Sequence, residues 1–213
     1  ESLIEKVADF AAETGAKTYI HLSETLKEVG DCTVRHNGLT PPQYLYKLGF
    51  FENGGLAAHC VYLDKDDIAL LKQCDVTPVI NSGSNLKLAS GIAPVASMLA
   101  ADMFPALGTD GTASNNAASI FREMYLYSCL QKESLKDAAA VGAEKALTAA
   151  TFSGYNALGF DGGILFEGKL ADMILIDLAA PNMCPHTDIR KSLIYSACLL
   201  YTSPSPRDPK TSR

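Results

Sequence analysis

The chain has 213 residues, enough for one large domain or a domain and a half, and its 47% hydrophobic and 20% charged residues are the balance of an ordinary globular protein. A net charge of −6 without basic clusters argues against a general binder of nucleic acid or acidic membrane. No apolar run is long enough to span a bilayer and no signal peptide opens the sequence, so a cytoplasmic protein with no membrane partner is expected. Six irregularly spaced cysteines with no Cys-x-x-Cys fit reduced, mostly buried thiols better than a disulfide framework.

Residues 1–14 read as an amphipathic helix, with Leu3, Ile4, Val7, Phe10 and Ala11 at helical spacing and Gly15 as the stop. A first strand is expected at 17–22, followed by a long polar loop at 23–40. A short helix at 41–48 carries its prolines in the first turn, where a missing N–H costs little. The second strand falls at 56–61, and Asp64 with Asp66 and Asp67 marks the start of a helix running to about Gln73. A third strand at 76–81 leads into a polar loop at 82–91, then a helix at 92–101. The fourth strand, 103–109, precedes a long helix at 114–131 and helical stretches at 137–150 and 152–158. Strand and helix alternating four times predicts a parallel sheet covered by helices. After Gly159 the grammar changes to glycine turns and a short β-strand within 171–178, part of a small separate β unit.

The strand-like runs share one feature. The first ends on His21 and Glu24, the second on His59, and the fourth on Asp110, followed at once by Gly111. Strands side by side in one parallel sheet bring their carboxyl ends together, and that rim is where α/β sheets and barrels carry their active sites. Taken singly each residue is ordinary: a lone strand-end His is more often structural, and Asp-Gly is more often a turn. Jointly, two imidazoles and two carboxylates are the donor set of a hydrolytic metal site. His21 and Asp110 are the natural ligands, and Glu24 the natural proton carrier. His59 could ligate, or could orient and polarise the substrate. Ser84 and Asn85 lie in a polar loop on the same face, where they could bind substrate or cap the next helix. No glycine-rich phosphate loop is present, so a nucleotide cofactor is not expected.

At these residues the sequence resembles the amidohydrolase superfamily, and within it the branch of S-adenosylhomocysteine, 5′-methylthioadenosine and triazine hydrolases. The matching stretches are His21-Leu-Ser-Glu24-Thr, Ala58-His59-Cys60-Val61, Ser84-Asn-Leu-Lys-Leu-Ala-Ser-Gly91, Ala106-Leu-Gly-Thr-Asp110-Gly and Glu167-Gly-Lys-Leu-Ala-Asp172. The resemblance implies an α/β fold: strands five to eight of a (β/α)8 TIM-type barrel over residues 1–159, and a piece of a β-sandwich over 160–197. It implies one divalent metal, zinc foremost and iron as the alternative, held by His21 and Asp110. It makes Asp110 a proton acceptor as well, Glu24 a proton shuttle to the ring nitrogen, and His59 an activating or polarising group. The expected substrate is an adenosine-type nucleoside, with guanine- or triazine-type rings as the alternative. A non-catalytic binding protein on a degraded barrel is the reading from another class. A homo-oligomer is compatible with all of these.

Two features depart from the family pattern. The first-strand His-x-His pair has no counterpart among His21, His36, His59 and His186, so the first half of the barrel is expected to lie before Glu1 and the chain by itself to be inactive. Ile80-Asn81-Ser82 also stands where a His and a Pro are usual. Residues 198–213 carry Pro204, Pro206 and Pro209 and are expected to be a disordered, non-native tail, since 199–208 resembles translated sequencing-adapter DNA.

Overall fold

The computed structural model describes residues 2–185 and 187–197; His186 and the tail expected over 198–213 lie outside the described residues. Four parallel strands form one sheet in chain order: β1 (Thr18–Leu22), β2 (Gly55–His59), β3 (Val76–Ile80) and β4 (Ala106–Leu107). The register sets His21 opposite Ala58, Ala58 opposite Val79, and Val79 opposite Ala106, so these residues share one face. The other face carries Leu22, Ala57, Val76 and Ile80 into the main core.

Helices cover that second face, and local chemistry sets their ends. Helix α1 (Ser2–Thr14) precedes the sheet, and α2 (Leu26–Arg35) follows β1. Helix α2 occupies part of the stretch expected to be a loop: Thr25 caps it by accepting the Glu28 N–H, but it buries no residue, so it left no apolar stripe to read. Helix α3 (Pro41–Lys47) starts on a capping box between Thr40 and Gln43. Helix α4 (Lys65–Gln73) starts on another, in which Asp64 accepts the Asp66 and Asp67 N–H groups at 2.8 Å each. Its Leu71 is fully buried among the sheet's core residues. Leu71→Ala is therefore expected to cost roughly 2–5 kcal/mol through lost contacts and the cavity left behind. Urea unfolding should show a lower midpoint at unchanged slope; an unchanged midpoint would count against this core assignment.

Helix α5 (Ser82–Lys87) occupies the second expected loop, and α6 (Val95–Ala100) begins after Pro94 rather than at 92. Strand β4 is two residues long, shorter than the run 103–109, because only Val79 and Ile80 of β3 pair with it. The long helix expected at 114–131 is broken. Helix α7 (Thr112–Asn115) stops where Asn116 turns left-handed, at φ 65°, and α8 (Ile120–Leu135) restarts under a Ser119 cap. Helices α9 (Ala143–Ala150) and α10 (Phe152–Ala157) follow, with α9 starting only after Gly142. Ala157 packs with Leu56, Val79 and Ala106 on the sheet face that carries His21.

The strand expected within 171–178 does not form. A strand needs a neighbour for its backbone groups, and none of the described residues pairs with this segment, whose Met173, Ile174 and Leu175 are exposed. A 3-10 turn (Pro181–Met183) leads to α11 (Ile189–Tyr195), a helix that the sequence reading left unassigned. Its Ile194 is buried in the main core, and its Tyr195 hydroxyl lies 2.8 Å from Ser128 Oγ on α8. Among the described residues no helix is long and apolar enough to cross a membrane. The five described cysteines form no disulfide; only Cys60 is buried, fewer than expected.

Candidate active site

The carboxyl ends of the strands bend sharply. Ser23, His59, Cys60 and Asp110 all have positive φ, between 49° and 71°. Such conformations cost non-glycine residues of order 1–3 kcal/mol each, and they persist where the surroundings hold them. Here they aim side chains. His59 stands opposite Leu22, whose side chain enters the helix-covered core, so an extended His59 would point there too. Its left-handed turn instead leaves its ring stacked on that of His21, with centroids 5.2 Å apart.

Four polar residues meet at this rim. His59 is buried, at 1% exposure, and its Nδ1 lies 2.7 Å from Asn85 Oδ1. An amide oxygen only accepts, so Nδ1 carries the proton and Nε2 faces Glu24 Oε2 at 3.7 Å. Glu24 Oε1 accepts the Ser90 hydroxyl at 2.9 Å. The backbone of Glu24 is held as well, because both Glu28 carboxylate oxygens accept N–H groups at 2.7 Å, one from Ser23 and one from Glu24. Asp110 accepts the Ser84 hydroxyl at 2.5 Å and the Gly111 N–H at 2.7 Å. Partial burial pushes the Asp110 carboxyl upward, but the Ser84 hydroxyl, the Gly111 N–H, the His59 ring and the Ser114 hydroxyl outweigh it and hold the group below its ordinary value.

His21 and Asp110 line one open cavity of about 370 Å3, together with Tyr19, Ala58, Asn81 and Gly108. Gly108 is required there: a Cβ would stand 2.4 Å from Asn81 Oδ1, so its absence lets the Asn81 side chain lie across the neighbouring strand. The structure thus brings His21, Glu24, His59 and Asp110 to one sheet rim. Ser84 and Asn85 are there too, but both are buried, at 0% and 2% exposure, and engaged with Asp110 and His59.

Sequence reasoning passed over Tyr19, Glu28, Asn81 and Ser90 as site residues. Asn81 had the same signal as the others, a polar residue directly after a strand run. Tyr19 is two residues before His21 and so on the same strand face. Glu28 and Ser90 act through tertiary contacts that no local pattern announces.

As metal donors, an imidazole and a carboxylate suit zinc or iron, and both open onto the same cavity. Among the described residues no three His, Cys, Asp or Glu side chains gather closely enough to hold an ion.

Comparison with known proteins follows the same lines. A model of the Amidohydrolase family matches residues 1–202. Over 195 residues the chain is 45% identical to a 5-methylthioadenosine/S-adenosylhomocysteine deaminase of Caldanaerobacter subterraneus, which covers 91% of this chain and 45% of the relative. It is 40% identical over 197 residues to a 5′-deoxyadenosine deaminase of Methanothermobacter thermautotrophicus, covering 92% and 46% of the two chains. The crystal structure of a zinc-bound adenosine deaminase from Xanthomonas campestris superimposes with a TM-score of 0.89 at 34% identity, covering 93% of this chain and 46% of that one. The chain therefore spans about half the length of the curated relatives it matches.

Proposed function

Because the chain belongs to the amidohydrolase family, we propose that the whole protein is a metal-dependent aminohydrolase that replaces the exocyclic amine of an adenosine-type nucleoside with oxygen. S-adenosylhomocysteine, 5′-methylthioadenosine and adenosine are the substrates put forward. The observation that carries the reading is the meeting of Glu24 with His59 at 3.7 Å on the rim where His21 and Asp110 share a cavity. A 45% identical relative named as a deaminase of this class supports the choice of ring. In this reading residues 1–159 form strands five to eight of a (β/α)8 barrel, and 160–197 contribute to a small β-sandwich.

His21 and Asp110 would hold a divalent metal, zinc foremost and iron as the alternative. When bound, such an ion supplies Lewis acidity that makes water a nucleophile near neutral pH. The chain's own residues do the rest. Asp110 accepts a proton from the attacking water. Glu24, held by Ser90 and by the Glu28 clamp on its backbone, delivers a proton to the ring nitrogen beside the reacting carbon. His59 is held by Asn85 with Nε2 toward Glu24; in the doubly protonated ring the Nε2–H polarises the substrate and steadies the carboxylate. The added oxygen becomes the carbonyl, the amine leaves as ammonia once protonated, and water's two hydrogens are accounted for between ring and leaving group.

The test is ammonia release from the three nucleosides and guanine, and chloride release from a chlorotriazine, by the zinc-loaded whole protein. Turnover of at least one nucleoside above guanine and triazine is expected. Turnover of guanine or triazine alone would move the reading to another ring, and none on the whole panel would refute it.

A further inference from the structure

Glu123 sits on α8, fully buried and away from the cavity lining. A buried carboxylate is expensive to desolvate, and its position needs a reason. Its two oxygens join α5 to α7. Oε2 accepts the Gly83 N–H at 3.0 Å, with the Ser82 N–H also directed at the carboxylate. Oε1 accepts from Asn115 Nδ2 at 2.8 Å.

Ser82 and Gly83 open α5, and the first N–H groups of a helix have no partner within it. The residue in the N-cap position, Asn81, makes no side-chain capping bond. Its side chain lies against Gly108 in the cavity instead. Glu123 therefore caps α5 from a different helix, with negative charge at the helix's positive end, and Asn81 is released to the site. Gly83 makes room for this, since a Cβ there would stand 2.5 Å from Glu123 Oε1.

The second arm reaches Asp110. Asn115 Nδ2 also donates to the Thr109 carbonyl at 2.7 Å, one residue before Asp110. On the other side Ser84, next to Gly83, donates to the Asp110 carboxylate at 2.5 Å. The contacts close a ring from Asp110 through Ser84, Gly83, Glu123, Asn115 and Thr109 back to Asp110. Lys87 adds a second tie between the same segments, donating to the Ala113 carbonyl at 2.7 Å and to Asn116 Oδ1 at 2.5 Å.

We infer that Glu123 is a positioning residue: by capping α5 from α8 it locks the turn bearing Ser84 and Asn85 to the turn bearing Asp110, and frees Asn81 to face the substrate. This rests on the function proposed above. Glu123→Gln is nearly isosteric; its amide oxygen still accepts from Gly83, but its NH2 meets the NH2 of Asn115, so one link opens. Glu123→Ala opens both.

Both variants are to be made in the zinc-loaded whole protein. A fall in kcat/KM of about tenfold is expected for Gln and about 100-fold for Ala. Zinc content should be unchanged in the Gln variant, and amide exchange of 82–87 and 109–116 several-fold faster. If the Ala variant fails to fold, the Gln variant decides. Wild-type kcat/KM in Glu123→Gln, or unaltered exchange in both segments, would overturn the inference. Should the unmodified protein deaminate nothing, the functional reading falls, and exchange alone then decides whether Glu123 latches the two turns.

Discussion

Glu24→Gln in the zinc-loaded whole protein is expected to lower kcat by a factor of roughly 10² to 10⁴, the usual contribution of a positioned proton carrier. The substitution is narrow in its effects. A glutamine oxygen can still accept the Ser90 hydroxyl, and the Glu28 clamp acts on the backbone, so the side chain should stay in place. What is lost is the ability to carry a proton and the negative charge beside His59 Nε2. Because Glu24 is not placed among the metal ligands, zinc content should match the unmodified protein, and KM should move far less than kcat. Turnover within a few-fold of normal at full zinc occupancy would remove Glu24 from the proton path. Loss of zinc along with activity would instead make it a ligand.

Much of this site was legible because a parallel sheet turns a one-dimensional pattern into a place. His21, His59 and Asp110 each follow a short apolar run, and parallel pairing in register brings them together. The same rule, applied to the third run, would have found Asn81. What the pattern could not show was polar structure without apolar periodicity. Helix α2 buries nothing, and α5 is built from Ser, Gly and Asn, residues that signal turns in isolation. It holds as a helix because Glu123, 40 residues onward, satisfies its first turn. Glu123 itself left a trace, since it falls on the buried stripe of α8 with Met124, Tyr127 and Gln131, where an acidic residue is out of place. The β-strand expected near Met173 failed for the opposite reason: the local pattern is strand-like, but strands exist only in pairs.

The backbone at these rim positions adds a constraint that composition hides. Asp110 holds φ at 59°, a conformation that Asn and Asp tolerate better than other non-glycine residues. Any probe of its charge must therefore keep its shape, and this separates two substitutions that would otherwise look alike.

Asp110→Asn keeps the amide oxygen as an acceptor for the buried Ser84 hydroxyl and keeps a side chain suited to the left-handed turn. It removes the charge, the capacity to take a proton and one acceptor oxygen, which leaves the exposed Gly111 N–H to water. This variant is expected to fold normally, to bind zinc more than about 100-fold more weakly, exceeding the usual effect of losing a supporting partner of a metal ligand, and to lose turnover even at saturating metal. Asp110→Ala should show the same functional losses and, in addition, a stability loss of roughly 1–3 kcal/mol. Ser84, at 0% exposure, would be left without its acceptor, and alanine would be strained at this φ. Zinc titration with the metal-free protein and urea unfolding of each variant separate the two effects. An Asn variant that binds zinc and turns over normally would show that Asp110 serves only to hold Ser84. If the Asn variant matched the Ala variant in instability, the carboxylate charge, rather than its shape, would be what holds the rim together.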